Sequence, residues 1–329
     1  MWQYLARRFV YMIFTIWIIS LVSFAVIQLP PGDYVTSMIS QMYASGGQNM
    51  PPEYIAQLRE QYGLDQPLHL QYFKWIRKIV LHGEFGYSFI YREDSREMIF
   101  ARLPVTFAIS AFSMLFIWIM AIPIGVFSAA HQYSIGDYVF TFIGFIGLAV
   151  PSFLMALILM FISYKYFDRA MIGLFSVEYA DAPWSIEKFI DMLKHLWIPV
   201  IIIGTGGTAG MIRTMRANLL DELNRPYVDT ARAKGVSENR LLWKYPVRHA
   251  LNPFVSTIGW VLPGLVGGEV IVSVVLNLPT SGPVIFDSLM KQDMYMAAGF
   301  ILMVSTLTVI GTFISDLLLV WLDPRIRLT

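Results

Sequence analysis

Six stretches of the chain carry no charge, or nearly none: Phe9 to Leu29, Leu103 to Ala130, Tyr138 to Tyr164, Leu196 to Ile212, Ala250 to Gly268 continuing past Glu269 towards Leu278, and Met294 to Ser315 continuing past Asp316. Each reaches or approaches the roughly 20 residues that cross about 30 Å of hydrocarbon. A segment inside lipid must satisfy its own backbone, so all six are predicted as helices. The first follows Arg7 and Arg8 as a signal peptide would. Its 21 apolar residues exceed an h-region, however, and Gln28-Leu-Pro-Pro-Gly offers no small-x-small cleavage site, so it reads as a retained span. The fourth is the shortest, 17 residues loosened by Gly204, Gly206, Gly207 and Gly210, which suit close packing or a kink.

Between these stretches lie two polar segments. Pro30 to Arg102 is too long for a simple connection and reads as a small helical external subdomain. Within it, Pro52 to Tyr62 has Tyr54, Ile55, Leu58 and Tyr62 at helical spacing, with Gly63 as its stop. A second helix, about Leu68 to Leu81, carries Trp and Tyr side chains expected at a membrane interface, with direct ligand contact as the alternative. The other polar segment, Arg213 to His249, has eight basic residues against four acidic, whereas Pro30 to Arg102 has seven against eight. Positive charge collects on the cytoplasmic side, so this asymmetry and the even span count put both termini in the cytoplasm.

Arg213 to His249 also has internal punctuation. Asn224-Arg-Pro226 supplies capping and first-turn chemistry, Tyr227 to Lys234 reads as one short helix containing Ala231 and Ala233, and Gly235 suits a left-handed stop. Ser237 and Glu238 then open a second helix running to Tyr245, and Asn252-Pro253 caps the fifth span. A helix–Gly–helix hairpin with small residues exposed fits a docking element; it equally fits an amphipathic hairpin packed on its own bundle.

Composition agrees with a chain that lives in lipid. Hydrophobic residues make up 56% of 329, charged residues only 14%, and the net charge is +1. That leaves no basic excess for nucleic acid. Cys is absent, which excludes thiolate metal sites and thiol catalysis. No G-x-x-x-x-G-K-[ST] loop, H-E-x-x-H or G-x-S-x-G occurs, so the chain has no phosphate loop of its own and nothing marks it as an enzyme. The five histidines, His69, His82, His131, His195 and His249, lack metal-ligand spacing and read as solvated or interfacial. Glu269 and Asp316 are the ionisable groups inside spans, a thin endowment for an ion-coupled carrier.

The run YVDTARAKGVSENRLLWKYPVRHALNP, residues 227–253, resembles the coupling loop of ABC-importer permeases of the dipeptide/oligopeptide branch. The resemblance continues through RRFVYMIFTIWIISLVSFAVIQLPPGD, YGLDQPLHLQYFKWI, GEFGYS, Pro104-Val-Thr-Phe-Ala, GGEVIV, Pro279-Thr-Ser-Gly and LDPRIR. It implies an all-α, six-span permease subunit of a binding-protein-dependent importer in the prokaryotic inner membrane, for oligopeptides or dipeptides, with oligosaccharides as the alternative within the branch. In that organisation residues 1–29 are the N-terminus and first span, 30–102 the external subdomain, and 103–329 the five-helix core with its coupling loop 213–252.

The implied partners are a second homologous permease, two ATPase subunits that bind ATP and Mg, and an external solute-binding protein; the chain itself binds no cofactor. Tyr227, Asp229, Ala231, Ala233 and Gly235 are implied as the ATPase-coupling residues, the two alanines permitting close approach. The sequence also departs from the family pattern. Tyr34 follows Pro-Gly-Asp, Glu84 stands in Gly-Glu-Phe-Gly, and Ser273 replaces a carboxylate common after Gly-Gly-x-Val-Ile-Val. Glu269 lies four residues earlier on the same helical face, so an acidic group displaced by a turn along the translocation pathway and a structural hydrogen bond are both open readings.

Overall fold

The computed structural model describes residues 2–28, 51–62, 66–88, 90–167, 172–179, 182–183, 185–257 and 270–322, with short pieces at 35–36, 39–40 and 43. Helices dominate, and the only sheet among these residues is a two-stranded ladder. In chain order they are α1 (Trp2–Ile27), α2 (Pro52–Tyr62), α3 (Leu68–His82), β1 (Tyr87–Ser88), β2 (Glu93–Asp94), α4 (Ser95–Ala130), α5 (Ile135–Ala149), α6 (Ser152–Phe167), α7 (Ile186–Leu223), α8 (Pro226–Ala233), α9 (Glu238–Lys244), α10 (Pro246–Ala250), α11 (Asn252–Ser256), α12 (Val270–Val275), α13 (Ser281–Met290) and α14 (Met294–Leu322).

Four of these, α1, α4, α7 and α14, are long and apolar enough to cross a membrane. The predicted third span is not one helix: α5 and α6 meet at a bend of 100°. Pro151 causes the break. Its ring disfavours helical geometry at the preceding residue, and Val150 is extended, with φ −80° and ψ 120°. Much of the predicted fifth span, residues 258–269, lies outside the described residues, as does Gly63, the expected stop of α2. The predicted fourth span is longer than its apolar stretch suggested, because α7 runs unbroken for 38 residues and takes in Arg213 to Leu223.

The glycines of α7 are points of close approach by neighbouring helices. A Cβ on Gly204 would lie 2.3 Å from Phe116 of α4, and one on Gly207 2.6 Å from Ile117. Across the other contact, Gly147 of α5 faces Thr205 of α7 at 2.5 Å, and Gly125 of α4 faces the Met215 Cβ of α7 at 2.5 Å. Missing side chains here let α4 and α5 approach the α7 backbone, the way helices associate where lipid offers no hydrophobic drive. The Thr205, Thr208 and Thr214 hydroxyls donate back to the carbonyls of Ile201, Gly204 and Gly210, at 2.5, 2.6 and 3.1 Å. Their polar groups are thereby satisfied within the helix.

The chain divides into two compact units: residues 1–6, 106–279 and 310–329 form one, residues 7–105 and 280–309 the other. The first has a core of Ala121, Val126 and Ala129 from α4, Ile212, Met215 and Leu219 from α7, Val247 and Ala250 from α10, and Phe254 from α11. In the second, Tyr72 and Trp75 of α3 are buried with Ile27, Ala298 and Leu302. The Tyr72 hydroxyl pairs with Ser20 Oγ at 2.7 Å, and its ring meets Phe24 edge-on at 5.6 Å. These aromatic side chains were expected at a membrane interface. They are core instead, because α1 offers α3 both an apolar face and a hydroxyl. Helix α3 ends as it must at Gly83, whose φ of 69° is left-handed.

His195 is also buried, not solvated: its Nδ1 lies 2.9 Å from the Asp191 carbonyl oxygen, one turn back on α7. Asp191 in turn accepts from both the backbone N–H and the hydroxyl of Ser176, each at 2.7 Å.

Candidate functional site

Residues 224–250 fold into the hairpin that the resemblance singled out. Helix α7 ends at Asn224, whose side-chain amide donates to the Leu220 carbonyl at 2.9 Å. Asn224 therefore closes α7 and does not cap α8; Arg225 occupies the N-cap position, with Pro226 at the first turn. A proline fits there because that N–H has no intrahelical partner. Helix α8 closes through two bonds, Gly235 N–H to Arg232 O at 3.0 Å and Val236 N–H to Ala231 O at 3.3 Å. This paired closure requires a left-handed residue, and Gly235 supplies it with φ 75°. Among the described residues, chain neighbours aside, no atom lies within 4 Å of the point a Cβ would occupy, so the requirement is one of backbone conformation. Ser237 has N-cap geometry at α9 but makes no side-chain capping bond. Asn252 likewise caps nothing, since Leu251 holds that position for α11.

Val228, Ala231 and Leu241 form the hairpin's own core, with Tyr227, Val236 and Tyr245 packed around it. Ala231 is 7% exposed. It was expected to face a partner; it is small because α9 lies against it. Asp229, Thr230, Arg232, Ala233 and Gly235 are exposed, so of the two alanines only Ala233 is presented.

Arg232 ties the two helices together. Its Nε donates to Glu238 Oε1 at 2.7 Å, and its Nη1 to Asp229 Oδ1 at 3.3 Å. The bond from Arg232 holds the Glu238 carboxyl below its ordinary pKa. Tyr227 anchors the base. Its hydroxyl donates to Glu222 Oε2 of α7 at 2.5 Å, and its ring meets His249 of α10 at 5.9 Å in a T-shaped contact. Burial, followed by the Glu222 bond, raises the Tyr227 hydroxyl above its ordinary pKa, keeping it a neutral donor.

From that base, contact runs into the bundle. Val247 and Ala250 of α10 are buried against Met215 and Leu219 of α7, and Phe254 stacks edge-on with Trp118 of α4 at 6.2 Å. Ser315 of α14 donates to the Val255 carbonyl at 2.9 Å. A second cross-tie joins α5 to α7: Arg216 Nη2 lies 3.1 Å from Asp137 Oδ2. The hairpin is thus a small folded body with an exposed crest and a fixed root.

Of the residues assigned to the translocation pathway, Glu269 lies outside the described residues. Ser273 sits in α12 and is 3% exposed. Sequence reasoning did not pair Arg232 with Glu238 or Glu222 with Tyr227; it read Glu238 only as a charge at a helix start and His249 as solvated or interfacial. The first pair could have been found as opposite charges flanking Gly235, which the turn folds towards each other; the Glu222–Tyr227 bond depends on where α7 ends.

Residues 121–328 match the family described as binding-protein-dependent transport system inner membrane component, and residues 1–110 match its N-terminal region. The chain is 34% identical over 328 residues to the oligopeptide transport system permease protein AppB of Bacillus subtilis, an alignment covering 98% of this chain and 99% of that one. It is 29% identical over 343 residues to the dipeptide transport system permease protein DppB of Escherichia coli K12, covering 99% of each. To the oligopeptide transport system permease protein OppB of Haemophilus influenzae it is 27% identical over 328 residues, covering 99% and 100%. With the match running through both the N-terminal region and the core, the chain belongs to the family of inner-membrane components of binding-protein-dependent transport systems.

Proposed function

We infer that this chain is a membrane-spanning permease subunit of an ATP-driven importer of oligopeptides or dipeptides. The observation that carries the reading is end-to-end similarity to permeases named for peptide transport, through the hairpin as well as the spans. The chain has no phosphate loop, so ATP and Mg belong to two partner ATPase subunits, and a second homologous permease and an external binding protein complete the system. Six spans, with both termini and the hairpin in the cytoplasm, make up the proposed topology; the basic excess of Arg213 to His249 supports it.

In this reading α8 enters a cleft on an ATPase. Asp229, Ala233 and Gly235 lie on the exposed surface and contact the partner, whereas Tyr227 and Ala231 hold the helix in place. ATPase closure moves the hairpin as one body, and the root formed by Tyr227, Glu222 and α10 passes that movement to α7. Glu269 lines the pathway shared with the second permease, an assignment supported by its place in the Gly-Gly-Glu-Val-Ile-Val run.

The test is uptake of a labelled tripeptide into vesicles that hold the complete system. Uptake should need both ATP on the hairpin side and the binding protein on the other. Uptake that survives ATP removal and collapses with the ion gradient would identify an ion-coupled carrier instead. For orientation, cysteine at Ser237 should react with an impermeant reagent only after permeabilisation, and cysteine at Arg77 without it.

A further inference from the structure

The second compact unit contains a cavity of about 190 Å³ that the coupling account does not use. Helix α3 contributes Lys74, Trp75 and Lys78 to its lining; the segment that turns into the β1–β2 ladder contributes Glu84 and Asp94, and Tyr295 comes from the first turn of α14. Lys74 and Lys78 lie one turn apart, on one face of α3. The acidic pair is set by backbone: Gly83 turns the chain out of α3 just before Glu84, and the ladder fixes Asp94 opposite Tyr87.

Among the described residues, Lys74, Lys78 and Glu84 form no ion pair, and Asp94 accepts only the backbone N–H of Arg96, at 2.8 Å. Two cations and two carboxylates therefore line one recess without forming an ion pair with one another. Aromatic walls, of lower dielectric than water, focus such a field, and a concave site with a few convergent polar groups is the usual form of a small-molecule site. The field suits a ligand that carries an anion and a cation a few atoms apart. On this measure a water molecule occupies about 10 to 15 Å³, so the cavity takes on the order of ten non-hydrogen atoms.

We propose that this cavity binds a small zwitterion, with its oxyanion towards Lys74 and Lys78 and its primary ammonium towards Glu84 and Asp94. Two sources share that chemistry at that size: a free dipeptide and the phosphoethanolamine headgroup of a lipid. A dipeptide would make the cavity a subsite of the permease itself, and that source rests on the peptide-importer reading; the lipid source does not.

The experiment uses the complete transporter in nanodiscs of phosphatidylcholine and phosphatidylglycerol, without binding protein. It is titrated calorimetrically with Ala-Ala, N-acetyl-Ala-Ala, Ala-Ala-amide and phosphoethanolamine. Saturable binding of Ala-Ala or phosphoethanolamine is expected. It should weaken by about tenfold or more in Lys74→Gln/Lys78→Gln and in Glu84→Gln, and the blocked peptides should lose as much. These side chains are exposed, so the variants should fold, and a matched melting temperature checks that they do. Binding of Ala-Ala assigns a peptide subsite, and binding of phosphoethanolamine alone assigns a lipid headgroup. Binding of neither, or binding that the variants leave unchanged, overturns the proposal. Tripeptide uptake measured on the same preparation separates the two readings: uptake without zwitterion binding removes this cavity and leaves the importer standing, and zwitterion binding without uptake does the reverse.

Discussion

The Tyr227 hydroxyl donates to Glu222 Oε2 at 2.5 Å, joining the first turn of α8 to the last turn of α7 across the two-residue joint at Asn224 and Arg225. Besides that bond, α8 is held to the bundle by the joint, where Arg225 N–H donates to the Glu222 carbonyl at 3.1 Å, and by the contacts of α10. In the proposed coupling, this bond would deliver a push on α8 to α7, the helix against which α4 and α5 pack. Tyr227→Phe keeps the ring against His249 and removes only the donor, at a cost of about 1 kcal/mol. The variant should assemble with its partners, and solute-stimulated ATP hydrolysis should fall severalfold while basal hydrolysis persists. Equal stimulation in wild type and variant would show that α10 alone carries the movement.

Gly235 offers a cleaner dissection, because among the described residues nothing crowds its Cβ position and its φ of 75° is the constraint. Gly235→Asn should be tolerated, since Asn visits the left-handed region. Gly235→Val should cost about 1 to 3 kcal/mol through strain and uncouple transport from ATP hydrolysis. Parallel measurements of stimulated ATPase activity on both variants check this; equal behaviour of Asn and Val would contradict the backbone explanation.

Close approach of α4 and α7 rests on Gly125. A Cβ there meets the Met215 Cβ, close to the α7 backbone and hard to move. Gly125→Val should destabilise the purified subunit by about 1 to 3 kcal/mol through overpacking, read as a lower melting temperature in detergent. Gly206→Ala is the control, because among the described residues no neighbouring element lies within 4 Å of its Cβ position.

The Arg232–Glu238 pair gives a pH expectation with a definite sign. Its bond to Arg232 lowers the Glu238 carboxyl from an ordinary pKa of 4.5, so the pair's contribution is present above that value and is lost as pH falls through the depressed one. Between about pH 6 and 8 the hairpin should therefore be insensitive to pH, while salt should weaken this exposed pair. Stimulated ATPase activity measured against salt, in wild type and Glu238→Gln, checks this: the variant should have lost the salt-sensitive part.

The hairpin was legible in the sequence because its punctuation is local. Pro226 at a first turn and Gly235 at a stop are fixed by backbone chemistry within a few residues, and α8 falls within one residue of the predicted range. What depended on distant partners was not legible. Ala231 looks like a docking residue until Leu241 is placed against it, and Tyr72 and Trp75 look interfacial until α1 and α14 enclose them. The glycines of α7 suit a kink as well as close packing, and the close packing shows only once Phe116 and Ile117 are placed against Gly204 and Gly207. Pro151 could have warned of the break between α5 and α6, since the residue before a proline leaves helical geometry, yet the apolar run around it hid the signal.

In the proposed coupling, the exposed crest of α8, not its buried face, meets an ATPase. A photo-crosslinking residue placed singly at Ala233 and at Ala231 in the assembled transporter tests this most directly. The Ala233 position should yield an adduct with an ATPase subunit that changes in intensity between nucleotide-free and ATP-bound states. The Ala231 position, buried against Leu241, should yield only products within the chain. An ATPase adduct from Ala231 with none from Ala233, or none from either in a transporter that hydrolyses ATP on demand, would contradict the account.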